Sequence, residues 1–155
     1  MTFQIQGTAS VVLSGFVNAI RRSGLKPHEH RLVFFGAGSA GVGVATMLKD
    51  YLVHCGLTED EAVKTFYLVD SKGLVAMNRG DKLPAHKLGL ARTDPNTPRL
   101  KTLDEVIDWI KPTGLLGLST TGGSFTESIV RKMAAFNKNP IIFRTLPALV
   151  SCADV

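Results

Sequence analysis

Apolar positions along this chain alternate between two spacings. Over 8–22 they recur at Val11, Val12, Phe16, Val17 and Ile20, one face of a helix, and Gly24 follows the basic pair Arg21 and Arg22 as a stop. Leu32–Phe35 is a short unbroken apolar run, the mark of a strand buried on both faces. Helical spacing returns over 41–55 at Val44, Met47, Leu48, Tyr51 and Leu52. Unbroken runs at 65–69, 114–118 and 140–143 predict three more strands. Helix starts are marked by Thr58 with Glu61, Thr102 with Glu105 and Ser124 with Glu127, each a hydroxyl at the N-cap and a carboxylate three residues later. The polar stretch 81–99, with Pro84, Pro95 and Pro98, predicts a long surface loop. Strands alternating with helices predict an α/β fold: a doubly wound, mostly parallel sheet with helices on both faces.

The segment richest in chemistry follows the first strand directly. Gly36-Ala37-Gly38-Ser39-Ala40-Gly41 closes a strand and opens a helix, the setting in which GxGxxG carries information. Gly36 permits the tight turn, Gly38 lets a pyrophosphate approach the backbone, and Gly41 lets helix and strand pack closely. The helix N-terminus supplies free N–H groups to the phosphates. These residues predict a Rossmann-type dinucleotide site.

Such a site wants an acidic residue at the end of the next strand, to hold the adenine ribose hydroxyls. Asp70 fits, although it lies 29 positions after Gly41, later than the usual ~20. An extra helix from Thr58 accounts for the delay. Asp70 would repel the 2′-phosphate of NADP unless a hydroxyl and cations stand nearby. Ser71, Lys72 and Lys87 are candidates for that task, so both NAD and NADP remain open at this point. The small residues Ser119, Thr120 and Thr121, after the strand 114–118, leave room for the nicotinamide ribose.

Charge fits this picture. The net charge is +5, yet the 18 Lys and Arg are scattered. A basic stripe is the footprint of nucleic-acid binding, so the reading is no nucleic acid but a phosphate-bearing small molecule. Cys55 and Cys152 show no metal or redox spacing and read as free thiols. His28 and His30 read as surface loop residues, and no metal site is assigned. No apolar run reaches the ~20 residues of a membrane span, so no membrane partner is expected. The expected place is the cytosol, or the mitochondrion should a leader precede this sequence.

Several stretches together resemble the malic enzyme family, whose members oxidatively decarboxylate malate to pyruvate. Ile5-Gln6-Gly7-Thr8-Ala9-Ser10 is similar to the family's IQGTA segment, and 35–45 to its glycine loop. Val69-Asp70-Ser71-Lys72-Gly73-Leu74 is similar to its second strand end. The runs 110–117, Gly122-Gly123-x-Phe125 and 133–143 complete the likeness. Arg79-Gly80-Asp81-Lys82-Leu83 looks most like fungal members.

The resemblance implies an NAD(P)-binding domain over 1–143. Its cofactor would be lined by Thr8, Gly36, Ala37, Gly38, Ser39, Ala40, Gly41, Asp70, Ser71, Ser119, Thr120 and Thr121. It also implies a divalent metal, Mg2+ or Mn2+, held in the family by an Asn-Asp-Asp segment before IQGTA. Here that place reads Met1-Thr2-Phe3-Gln4, so this chain offers no ligands to the metal and no catalytic residue is assigned. The stretch 144–155 resembles nothing in the family. The expected function is cofactor binding without turnover by this chain alone. The alternative is a non-catalytic module associating with malic enzyme subunits.

Overall fold

The computed structural model describes residues 2–119 and 125–144, with side chains from Ser10 onward. At its centre are β1 (Leu32–Phe35), β2 (Phe66–Asp70), β3 (Gly73–Leu74), β4 (Gly114–Gly117) and β5 (Ile141–Arg144). They form one sheet in the order β3-β2-β1-β4-β5. β1 runs parallel to β2 and β4, and β4 parallel to β5. Only β3 is antiparallel, a short return of the chain onto β2 that the apolar pattern is too brief to announce.

Alternate residues of β1 face opposite cores. Leu32 and Phe34 pack with Phe16 of α1 (Thr2–Ser23) and with Leu48 and Leu52 of α2 (Ser39–His54). Val33 packs on the other face with Val106 and Ile107 of α5 (Leu103–Ile110) and Met133 of α6 (Glu127–Phe136). A central strand covered twice has no polar face to show, which explains its unbroken apolar run. From β2 the chain returns past β1 to β4, so the direction of winding reverses between β1 and β4. Ligands of open α/β sheets bind beyond the carboxyl ends of the strands at such a switch point.

Two capping boxes form as expected. Thr58 opens α3 (Glu59–Lys64) and Thr102 opens α5, each with its N3 glutamate bonded back to the cap N–H. At α6 the cap is Thr126, whose hydroxyl accepts from Ile129 N–H at 3.4 Å, and Glu127 is the first helical residue. Ser124 lies outside the described residues. β2 starts one residue later than expected because Thr65 ends α3, its N–H and hydroxyl both donating to Ala62 O. The stretch 81–99 is no free surface loop. It contains α4 (Ala85–Leu88), pairs Arg92 with Ala76, and buries Leu83, Leu90 and Ala91 in the core. Among the described residues no helix is long and apolar enough to cross a membrane.

His30 also departs from its expected surface position, while His28 is exposed. Only 1% of His30 is accessible, and its Nδ1 lies 3.1 Å from the Thr113 hydroxyl. Burial pushes its imidazole below the ordinary value, against a weaker opposite pull from Glu29. The unfolded chain therefore binds a proton more readily than the folded one, and stability falls as pH drops below about 6.5. Thermal melts from pH 7.5 to 5 are expected to show this decline, and His30→Gln should flatten that part of the profile. An unchanged profile in the variant would remove His30 as its cause.

Candidate functional site

The loop between β1 and α2 is fastened before it reaches any ligand. Gly36 N–H and Ala37 N–H both donate to Val69 O, at 2.9 and 3.3 Å, tying the turn to the neighbouring strand. Gly36 has φ 110°, and a Cβ there would lie 2.5 Å from Ser119 N. At Gly41 a Cβ would lie 1.9 Å from Gly36 O, so α2 approaches the turn too closely for any side chain. Gly38, the N-cap of α2, differs: a Cβ there would meet nothing within 4 Å. Sterically, Gly36 and Gly41 shape the loop, and Gly38 leaves open space in front of it.

That space is a cleft of about 910 Å3 at the carboxyl ends of β1, β2 and β4. The first turn of α2 carries no acidic residue and no side-chain cap, so its leading N–H groups are left for a ligand. A pyrophosphate fits this cradle: bare backbone, a helix N-terminus and no carboxylate in the first helical turn.

At the end of β2, Asp70 is more heavily engaged than its sequence position suggests. Its Oδ1 accepts from Arg79 Nη1 at 2.7 Å and from Lys72 N–H at 2.9 Å. Its Oδ2 accepts from Arg79 Nη2 at 3.2 Å and from Lys87 Nζ at 2.7 Å. Burial alone would raise the Asp70 carboxyl, but these bonds outweigh it and hold the group below the usual carboxylate range. Arg79 is gripped in turn by Asp81, Nε to Oδ1 at 2.6 Å and Nη2 to Oδ2 at 3.0 Å. That contact and its counterpart drive Asp81 far down and Arg79 far up.

The family profile described as "Malic enzyme, NAD binding domain" matches residues 5–146. The chain belongs to this family. An NADP-dependent malic enzyme of Dictyostelium discoideum is 48% identical over 139 residues, 90% of this chain and 25% of the relative. A malolactic enzyme of Lactiplantibacillus plantarum is 40% identical over 141 residues, 90% of this chain and 26% of the relative. An NADP-dependent malic enzyme of Columba livia is also 40% identical, over 139 residues, covering 90% and 24%. The chain thus spans about a quarter of the length of these curated relatives.

In this malic-enzyme NAD-binding domain, Gly36, Ala37, Gly38, Ser39, Asp70, Ser71 and Ser119 wall one cleft. Gly41 packs behind the loop, and Ala40 is exposed but is not a wall of the cleft. Thr120, Thr121 and the Thr8 side chain lie outside the described residues. Of the cations proposed near the ribose, Lys87 faces the cleft, whereas the Lys72 ammonium turns away to Asp81 at 3.1 Å. Sequence reasoning missed Arg79 as a site residue, because an Arg two positions before an Asp reads as an ordinary turn. It also missed Lys101, Thr102 and Thr126 as walls, since caps are recognised by what they do for their own helices. Among the described residues, no three His, Cys, Asp or Glu side chains gather as a metal-binding group.

Proposed function

We propose that the domain binds NADP in this cleft and serves as the hydride-accepting half of a malic enzyme acting on malate. The observation that carries the reading is the Lys87 ammonium, placed on Asp70 in the wall of the cleft that Gly38 leaves open. Gly38 and the first turn of α2 hold the pyrophosphate through backbone N–H groups. Ser71 and Lys87 stand where a ribose phosphate of the same molecule would reach. Ser119, at the end of β4, borders the side on which the nicotinamide half would lie. The bound dinucleotide supplies the hydride acceptor, and the chain's residues orient it and neutralise its phosphates. The two relatives named NADP-dependent malic enzymes agree with this preference.

Calorimetric titration of this chain tests the reading. NADP is expected to bind in the micromolar range and NAD at least about tenfold more weakly, a difference of ~1.4 kcal/mol. Absence of binding by either at millimolar concentration would overturn it.

A second reading has its own observation. Trp109, Val130 and Phe136 on the α5 and α6 side stay 46%, 42% and 37% exposed. We propose malic enzyme subunits as the partner that would cover these apolar side chains. Sedimentation velocity of the chain mixed with such a subunit should show a co-sedimenting species, and two independent boundaries would count against it.

A further inference from the structure

Beside β3, the edge strand of the sheet, lies a second pocket of about 360 Å3. Small-molecule sites run from roughly 300 to 1,000 Å3, so it is large enough to hold a compact ligand. Among the described residues it shares Lys101 alone with the dinucleotide cleft, and Gly38, Asp70, Ser71 and Lys87 have no part in its walls.

Two segments wall this pocket, 72–81 and 98–101, and they are fastened to each other's surroundings on both sides. Leu74 N–H donates to Leu100 O at 2.9 Å. Asn78 Nδ2 donates to Pro95 O at 3.0 Å and to Thr97 O at 2.9 Å, which pins the approach to the second segment. Walls held in this way need little ordering when a ligand enters, and that lowers the cost of binding.

The chemistry divides between floor and rim. Leu74 and Ala76 are buried, Pro98 and Leu100 half-buried, and together they give an apolar floor. Four cationic side chains, those of Lys72, Arg79, Arg99 and Lys101, face one carboxylate, Asp81. Asp81 is already shared by Arg79 and Lys72. The exposed Arg99 guanidinium and Lys101 ammonium have no carboxylate at ion-pair distance among the described residues. Glu105 is spent on the backbone N–H groups of Lys101 and Thr102, at 2.8 and 3.0 Å. Arg99 Nη2 lies 3.8 Å from where a Cβ of Gly80 would stand, which seats the guanidinium over the turn that carries Arg79 and Asp81.

Two unpaired cations above an apolar floor suit a ligand with two negative charges on an apolar body. A phosphate monoester offers about −1.5 to −2 at pH 7 and three acceptor oxygens. A guanidinium takes two such oxygens at once. A carboxylate would bring a single charge and leave one cation unmatched. We propose that this pocket is a second ligand site, separate from the dinucleotide cleft, and that it takes a small organic phosphate, with the apolar body on Leu74 and Leu100 and the phosphate on Arg99 and Lys101.

The probe is phenyl phosphate, titrated by calorimetry into the whole chain, with inorganic phosphate and NADP as comparisons. Phenyl phosphate is expected to bind with a Kd of about 1 mM or lower, and inorganic phosphate, which has no ring for the floor, at least about tenfold more weakly. Saturating NADP should change the affinity for phenyl phosphate by less than about threefold. Arg99→Ala alters an exposed side chain and should fold normally. It is expected to weaken phenyl phosphate at least about tenfold, the loss of a charge-assisted hydrogen bond, and to change NADP binding by less than about threefold. Displacement of phenyl phosphate by NADP would put the probe in the cleft and overturn the proposal. Equal affinity for inorganic phosphate, or unaltered binding by Arg99→Ala, would overturn it too, as would the absence of any phenyl phosphate binding at about 10 mM. A chain that binds phenyl phosphate in an Arg99-dependent way but takes neither dinucleotide would uphold this site while the reading of the cleft fails.

Discussion

Alanine at position 41 is expected to destabilise the domain by about 2–4 kcal/mol and to weaken dinucleotide binding at least about 100-fold. The added methyl would sit 1.9 Å from the Gly36 carbonyl oxygen, and that oxygen belongs to the backbone of a turn, with no side-chain torsion to move it away. Relief requires α2 to shift from the turn, which would move the first-turn N–H groups out of register with the cleft. Gly38→Ala is the control. Its methyl enters open space and its φ of −79° suits any residue, so stability should change by no more than about 0.5 kcal/mol. Binding should still fall, because the methyl occupies the space assigned to the pyrophosphate. Thermal melts and calorimetry on both variants separate the two effects. Normal binding by Gly38→Ala would show that the open space is not where the ligand lies.

These two glycines also show what a sequence can disclose. GxGxxG encodes a steric requirement at fixed offsets, and the close packing at Gly41 was legible from residue types and from the strand and helix on either side. The strands of the double core were legible too, because Leu32–Phe35 must be apolar on both faces. Charge partners were not. Arg79 meets Asp70 only because β3 folds back on β2, and β3 is two residues long. Lys87 reaches the same carboxylate from α4, a four-residue helix inside a stretch that reads as proline-rich loop. His30 is similar: its burial depends on Thr113, far along the chain at the start of β4. Local periodicity carries no record of such pairings, since each depends on how separate elements pack.

Lys87→Glu is the substitution expected to act most strongly on ligand choice. It removes the 2.7 Å ion pair with Asp70 and puts a second carboxylate at the end of β2. The charge of the cluster with Asp70, Asp81, Arg79 and Lys72 would pass from one positive to one negative. A 2′-phosphate carries between one and two negative charges, so attraction becomes repulsion. At about 4 Å each unit pair is worth roughly 1 kcal/mol in water and 4 kcal/mol near a protein surface, and the site is half-dry. NADP affinity should therefore fall by at least about 100-fold, which corresponds to ~2.7 kcal/mol. NAD has no phosphate at that position, and its affinity should change by less than about threefold. Added salt discriminates further: exposed repulsion is screened within a Debye length of ~10 Å at 0.1 M, so raising ionic strength should recover part of the NADP binding of the variant while weakening that of the unmodified chain. Equal losses for NAD and NADP would mean that Lys87 supports the wall of the cleft without reading the phosphate.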